Sequence, residues 1–262
     1  MESFTFYTIA WYFCIYAMLG WCLEVCFCTV YTGEFVNRGF LNGPVCPIYG
    51  FGMVIILLVL TPLYNNLLLL YLGAVLLTSA LELGTGFVLK KVFHTSWWDY
   101  SDAPHNLGGY ICLKFSLLWG IGGVVAIRGI HPLVAKLVGF IPKTIGWAML
   151  CVIFALFLCD VIVTITEIAK LNKDLGRIEE VAQKLHAGSD VLAKNLGDGA
   201  LVMDEKFDDA KKEVNIYLDL LRTEWRERKH AVRGRLLKAF PRAKNTRHSA
   251  ALEALKQWYG KK

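Results

Sequence analysis

Residues 4–30 read FTFYTIAWYFCIYAMLGWCLEVCFCTV, an unbroken apolar stretch with one charge, Glu24, and no proline. A helix rises about 1.5 Å per residue, so about 20 apolar residues cross the hydrocarbon core of a bilayer. This stretch therefore predicts a membrane-spanning helix. Four more runs satisfy the same reasoning, at residues 48–63, 67–89, 107–127 and 144–168. The second is short, so it either tilts little or gains length from residues 44–47. Residues 131–142 are apolar but brief and bounded by prolines, which predicts a helix lying in the interface.

Composition agrees. Apolar residues make up 55% of the 262, and the mean hydropathy of +0.44 is too high for an ordinary soluble domain of this length. Basic residues are unevenly spread. Before residue 170 there are only Arg38, Lys90, Lys91, Lys114, Arg128, Lys136 and Lys143; the other Lys and Arg follow, in excess over the acids there. The expected fold is all-α: a polytopic membrane helix bundle of five spans in residues 1–169, then a basic, cytoplasmic helical tail in residues 170–262. No Lys or Arg precedes Arg38, so the positive segment of a cleavable signal is missing and the first run is expected to remain a span. Positive charge stays in the cytoplasm. That rule puts the C-terminus inside, the N-terminus outside, and loops 31–47 and 90–106 in the cytoplasm of a cell-membrane protein. Residues 128–143, with three basic residues, are expected outside, which the tail's charge outweighs.

Three carboxylates interrupt the apolar runs: Glu24, Glu82 and Asp160. Each lies about 12–15 Å along the helix from the predicted inner end. An ionisable group costs at least about 2.5–3.5 kcal/mol at the bilayer centre, so such groups turn inward and find partners. Leu23-Glu24-Val25 and Leu81-Glu82-Leu83 each precede a loop ending in Asn, Gly and Cys, at Asn42, Gly43 and Cys46 and again at Asn106, Gly108 and Cys112. A duplicated hairpin is therefore expected. Lys114, seven residues into the predicted fourth span, and Arg38, in a loop rich in Gly and Pro, are the candidate counter-charges. Irregular backbone survives at membrane depth only beside protein or a wet cavity, so this loop is expected to fold back into the bundle with Asn42 and Arg38 facing a ligand. Glu24, Arg38, Asn42, Glu82, Lys114 and Asp160 form the expected solute- or ion-binding set. A purely structural ion-pair network is the competing reading.

The second loop carries Trp97, Trp98, Asp99, Tyr100 and His105. Trp and Tyr favour the membrane–water boundary, so the loop reads first as an interfacial anchor and second as the working part of a lipid-acting enzyme or scaffold. The eight cysteines fall mostly in apolar runs, without paired zinc spacing, so neither a metal nor a cofactor is expected.

Asn37-Arg38-Gly39-Phe40-Leu41-Asn42-Gly43-Pro44, Pro47-Ile48-Tyr49-Gly50, Trp98-Asp99-Tyr100-Ser101 and Asn106-Leu107-Gly108-Gly109 together resemble the type IV ABC-transporter permease family called CmpB. Animal transmembrane protein 229 is a distant relative of that family. The resemblance spans residues 12–118 and continues more weakly through the fifth run, and residues 233–241 resemble tails of bacterial members. It implies a transport component acting on a small charged solute or lipid head group. The chain has no Gly-x4-Gly-Lys-Ser/Thr phosphate loop, so an ATPase would be a separate chain. In the tail, Leu171, Leu175, Ile178, Val181, Ala182 and Leu185 predict an amphipathic helix, ended by Gly188, Gly197 and Gly199. A second long helix is expected over residues 204–238, packed on the first as a hairpin. Ten basic residues between Arg222 and Arg247, with nearby aromatics, suit anionic membrane lipid, with a solvated coiled hairpin that dimerises as the equal competing reading, while nucleic acid is not expected. A homodimer around a shared cavity is the expected assembly.

Overall fold

A computed structural model describes residues 4–194 and 231–260. The opening run forms α1 (Phe6–Thr32). Thr5 caps its start, exchanging hydrogen bonds with Thr8, and Gly33 ends it in the left-handed region at φ +74° with its N–H on the Thr29 carbonyl. An irregular loop leads to α2 (Pro47–Leu60), which opens on a proline whose missing N–H has no partner to lose there. A short 3₁₀ turn (Thr61–Leu63) follows. Asn66 caps α3 (Leu67–Phe93), which ends at His94 with φ +53°. Strand β1 (Thr95–Ser96) comes next, then a small hairpin of β2 (Asn106–Leu107) and β3 (Ile111–Cys112).

The fourth run differs from expectation. Residues 107–112 belong to the hairpin, so α4 starts only at Leu113. It then continues past residue 127, as α4 (Leu113–Val125), a π-helical turn (Ala126–Ile130) and α5 (His131–Phe140) in one 28-residue helical run. The segment expected to lie in the interface is the upper part of this helix. The reason is local: Pro132 would break a regular α-helical hydrogen-bond ladder, and the wider π turn just before it reroutes that ladder. The loop expected at residues 128–143 shrinks accordingly to Ile141 and Pro142.

The fifth run opens α6 (Lys143–Lys194), 52 residues without a break at Lys170 or at Gly188. Gly188 was expected to end a helix, but a single internal glycine costs only about 1 kcal/mol against alanine and does not stop one by itself. Gly197, Gly199 and most of the helix expected over residues 204–238 lie outside the described residues. The described remainder is α7 (Ala231–Ala239), β4 (Lys244–Asn245) and α8 (Ser249–Gly260). These elements do not form a free-standing hairpin. Strand β4 pairs antiparallel with β1, Thr95 opposite Asn245, and α7 and α8 lie on α6.

In the bundle, α1 packs chiefly on α2 and α3 on α4. The core gathers Tyr7, Trp11, Tyr12, Met53, Leu57, Leu70, Ala74, Ile127, Val134 and Leu150. Small residues set the approach: a Cβ on Gly50 would stand 2.7 Å from Phe13, and one on Gly123 would stand 2.9 Å from Ala74. That is the packing expected where lipid tails supply no hydrophobic drive between helices. The outer faces are greasy; Leu76 and Leu156 are 72% and 66% exposed, which is tolerable only against lipid. Among the described residues, α1, α3, Leu113–Phe140 and the first part of α6 are long and apolar enough to cross a membrane, and Pro47–Leu63 is a shorter apolar helix beside them. The fold is an all-α membrane bundle.

Candidate functional site

The loop between α1 and α2 folds back on the bundle because its own polar groups tie it there. Asn37 takes the Trp21 indole N–H on Oδ1 at 2.7 Å, takes the Gly39 N–H at 3.0 Å, and donates to the Asn42 carbonyl at 2.8 Å. The Cys46 N–H reaches the Ala17 carbonyl at 2.9 Å. Leu41 is fully buried. On the far side of the loop stands Asp160. It accepts the Asn42 N–H at 3.0 Å, the Asn42 side-chain amide at 2.8 Å, the Gly43 N–H at 2.7 Å and the Thr164 hydroxyl at 3.3 Å. Gly43 permits this, since a Cβ would meet Asp160 Oδ2 at 3.2 Å. Asp160 thus acts as an anchor whose oxygens are already spent on the loop.

Glu24 and Glu82 are placed differently. Glu24 accepts the Tyr49 hydroxyl at 2.6 Å, and Arg38 Nε lies 3.7 Å from its other oxygen, beyond a good hydrogen bond. Gly20, one turn before Glu24, makes room for the Tyr49 ring, which sits where a Cβ would be, 2.2 Å from Cγ. Tyr49 also meets Trp119 of α4 edge-on at 5.7 Å. Glu82 accepts the Tyr100 hydroxyl at 3.1 Å through Oε1, while Oε2 is buried without a partner. Arg38 Nε is likewise buried and has no hydrogen bond. Burial pushes the Tyr100 phenol well above its ordinary range, and the charges of Glu82 and Glu24 push it further. Tyr100 therefore lies within electrostatic reach of both acids, one from each hairpin unit.

Lys114 sits elsewhere. Because α4 starts at Leu113, it occupies the first turn, exposed, and forms no ion pair with Glu82. The second loop is packed at one end and mostly exposed beyond Tyr100. Trp97 is 6% exposed, packed with Ile168 and Leu236 and edge-on to Phe40 and Phe240. Trp98 donates to the Tyr110 carbonyl at 2.9 Å. Asp99 accepts the Ser101 N–H at 2.9 Å and Lys244 Nζ at 2.6 Å, and these bonds, the lysine's first, hold its carboxyl down at about 2. His105 is exposed in a turn at φ +53°. Among the described residues no three His, Cys, Asp or Glu side chains gather as a metal site.

Sequence reasoning passed over Tyr49, Trp21, Thr164, Arg233 and Arg235. Tyr49 and the two arginines do fall inside segments that carry the family resemblance, and that was the available signal. Searches among curated proteins and among solved structures give no match. Over residues 11–165 the chain matches the model of one protein family, and with the apolar bundle just described it is a multi-pass membrane protein that belongs to the family described as "Putative ABC-transporter type IV".

Proposed function

We propose that this chain is a transport component that handles a small charged solute or a lipid head group at a polar site formed by Glu24, Arg38, Tyr49, Glu82 and Tyr100. Asn42 and Asp160 shape the loop at its edge. The observation that carries the reading is Glu82 Oε2, buried without a partner, together with Arg38 Nε, buried without a hydrogen bond and only loosely paired with Glu24 at 3.7 Å. Buried polar atoms in folded proteins are nearly always paired, so an unpaired one marks a place for a ligand, ion or water. One acceptor and one donor favour a ligand bearing both charges, or an anion beside an exchangeable proton. Family membership supports transport as the class of activity and a separate ATPase chain as the energy source.

Five passes are proposed, with Pro47–Leu63 as the short one, the N-terminus outside and the basic C-terminal region in the cytoplasm. Exposed Lys238, Arg242, Lys244 and Arg247 on the docked tail favour anionic lipid at the inner surface. A homodimer is the proposed assembly.

The test is binding by the purified chain in lipid nanodiscs, read as a thermal shift against a panel of amino acids, phosphorylated solutes and short-chain lipids. At least one panel member is expected to stabilise the wild type, and both Glu82→Gln and Glu24→Gln should lose the shift while still inserting. Full response in both variants overturns the site.

A further inference from the structure

The loop that Asp160 anchors on one side is engaged on its other side by the tail. The carbonyls of Asn37, Gly39 and Phe40 and the side-chain oxygen of Asn42 turn toward one point, and the Arg235 guanidinium fills it. Nε donates to Asn42 Oδ1 at 3.2 Å, Nη1 to the Gly39 carbonyl at 2.6 Å and the Asn37 carbonyl at 3.5 Å, and Nη2 to the Phe40 carbonyl at 3.1 Å. Among the described residues no carboxylate forms an ion pair with Arg235. A fan of neutral acceptors in this arrangement suits the flat, forked donors of a guanidinium rather than the compact head of an ammonium.

We propose that the loop between α1 and α2 is a receptor for a guanidinium group, that Arg235 is its tethered occupant, and that seating this arginine holds the loop closed over the polar site. The last clause rests on the transport reading given above. Asn42 is the coupling residue. Its oxygen takes Arg235 while its amide nitrogen reaches Asp160 and Thr164, so the arginine fixes which way that side chain faces. When Arg235 leaves, four acceptors lose their donor, Asn42 is held only through its contacts with Asp160 and Thr164, and the cradle is open to a free guanidinium.

The rest of the docking is built from contacts independent of the cradle. Arg233 is 4% exposed and bridges Glu167 at 2.9 Å and Asp174 at 2.6 Å. Lys244 reaches Asp99, and Ala239 packs on Cys28 and Val36. The tail is therefore held beside the loop whether or not Arg235 is seated, which makes seating a local and reversible event.

Hydrogen exchange of residues 37–46 in the full-length protein in nanodiscs tests this without any solute. Arg235→Ala should speed exchange there by about tenfold or more. Millimolar methylguanidinium should slow it again, and tetramethylammonium at equal ionic strength should not. Arg235→Lys keeps the charge but loses the fork, and it should also exchange faster while the α6–α8 contact keeps its protection. Wild-type exchange in Arg235→Ala or Arg235→Lys overturns the proposal, and so does acceleration that methylguanidinium leaves untouched. Full solute response in Glu82→Gln and Glu24→Gln would sink the transport reading and leave the guanidinium cradle standing.

Discussion

Single positions carry the site's geometry. Tyr49 reaches Glu24 only because Gly20 leaves its ring a seat, so Gly20→Ala should push the tyrosine off the acid. Overpacking of this kind costs about 1–3 kcal/mol, and a lowered melting temperature with loss of solute response is the expected result. Asp160→Asn keeps shape but turns charge-assisted bonds into neutral ones and sets an NH2 against donors, for a loss of about 2–3 kcal/mol in chemical or thermal unfolding. Thr164→Val removes two neutral-donor bonds, one from the Asn42 amide at 3.1 Å and one to Asp160 at 3.3 Å, leaves the Asp160 charge and its backbone partners in place, and should cost less. Asp99 supplies a pH test. Its folded carboxyl titrates at about 2, below the ordinary value of about 3.9. A depressed acid contributes its full share above about pH 4 and loses it as pH falls through the folded value. Docking of β4 on β1 should therefore weaken between about pH 4 and pH 2, and Asp99→Asn should flatten that dependence in limited proteolysis.

At the level of elements, the long apolar runs were legible because span length is set by the bilayer; α1, α2 and α3 lie near the expected runs, and α6 starts beside residue 144 but continues well past residue 168. Residues 107–127 misled for a physical reason. Leu107, Ile111 and Cys112 are apolar, but Gly108 and Gly109 adopt φ +59° and +74° and turn the chain into a hairpin, an outcome that hydropathy does not register. Pro132 misled in the opposite direction, since a π turn absorbs it. The three acids were found by their cost in lipid; Glu82 accepts the Tyr100 hydroxyl and Glu24 the Tyr49 hydroxyl. Their division into one anchor, Asp160, and two acids that each accept a tyrosine hydroxyl depends on which backbone N–H groups the loop presents, which spacing does not reveal. Spacing does not single out Arg235, because its partners, three loop carbonyls and the Asn42 side chain, lie nearly two hundred positions away. Helix α6 also carries a prediction. Lys173 is exposed, so Lys173→Pro touches only the backbone; it should cost about 3 kcal/mol and break the platform where Leu171, Asp174 and Leu175 receive the tail. Protease sensitivity of residues 231–260 should rise, with the bundle still folded.

For the whole molecule, the bundle and its described tail act as one assembly: the bundle supplies two loops, and the tail's α7, β4 and α8 close on them through a two-residue strand pair, ion pairs and three small apolar clusters. The apolar helices within the bundle are unequal in length. Pro47–Leu63 is roughly 25 Å tall and the helical run Leu113–Phe140 about 42 Å at 1.5 Å per residue. Neighbouring acyl chains must compress along one flank and stretch or see a tilted rod along the other, at fractions of a kcal/mol per ångström. A long helix can tilt to fit while a short one cannot lengthen, so the protein should prefer a thin bilayer, and vesicles of short-chain phosphatidylcholine should preserve it against heat better than long-chain ones. In a membrane of mixed thickness, that asymmetry alone would steer where the molecule gathers and which way its neighbours lean.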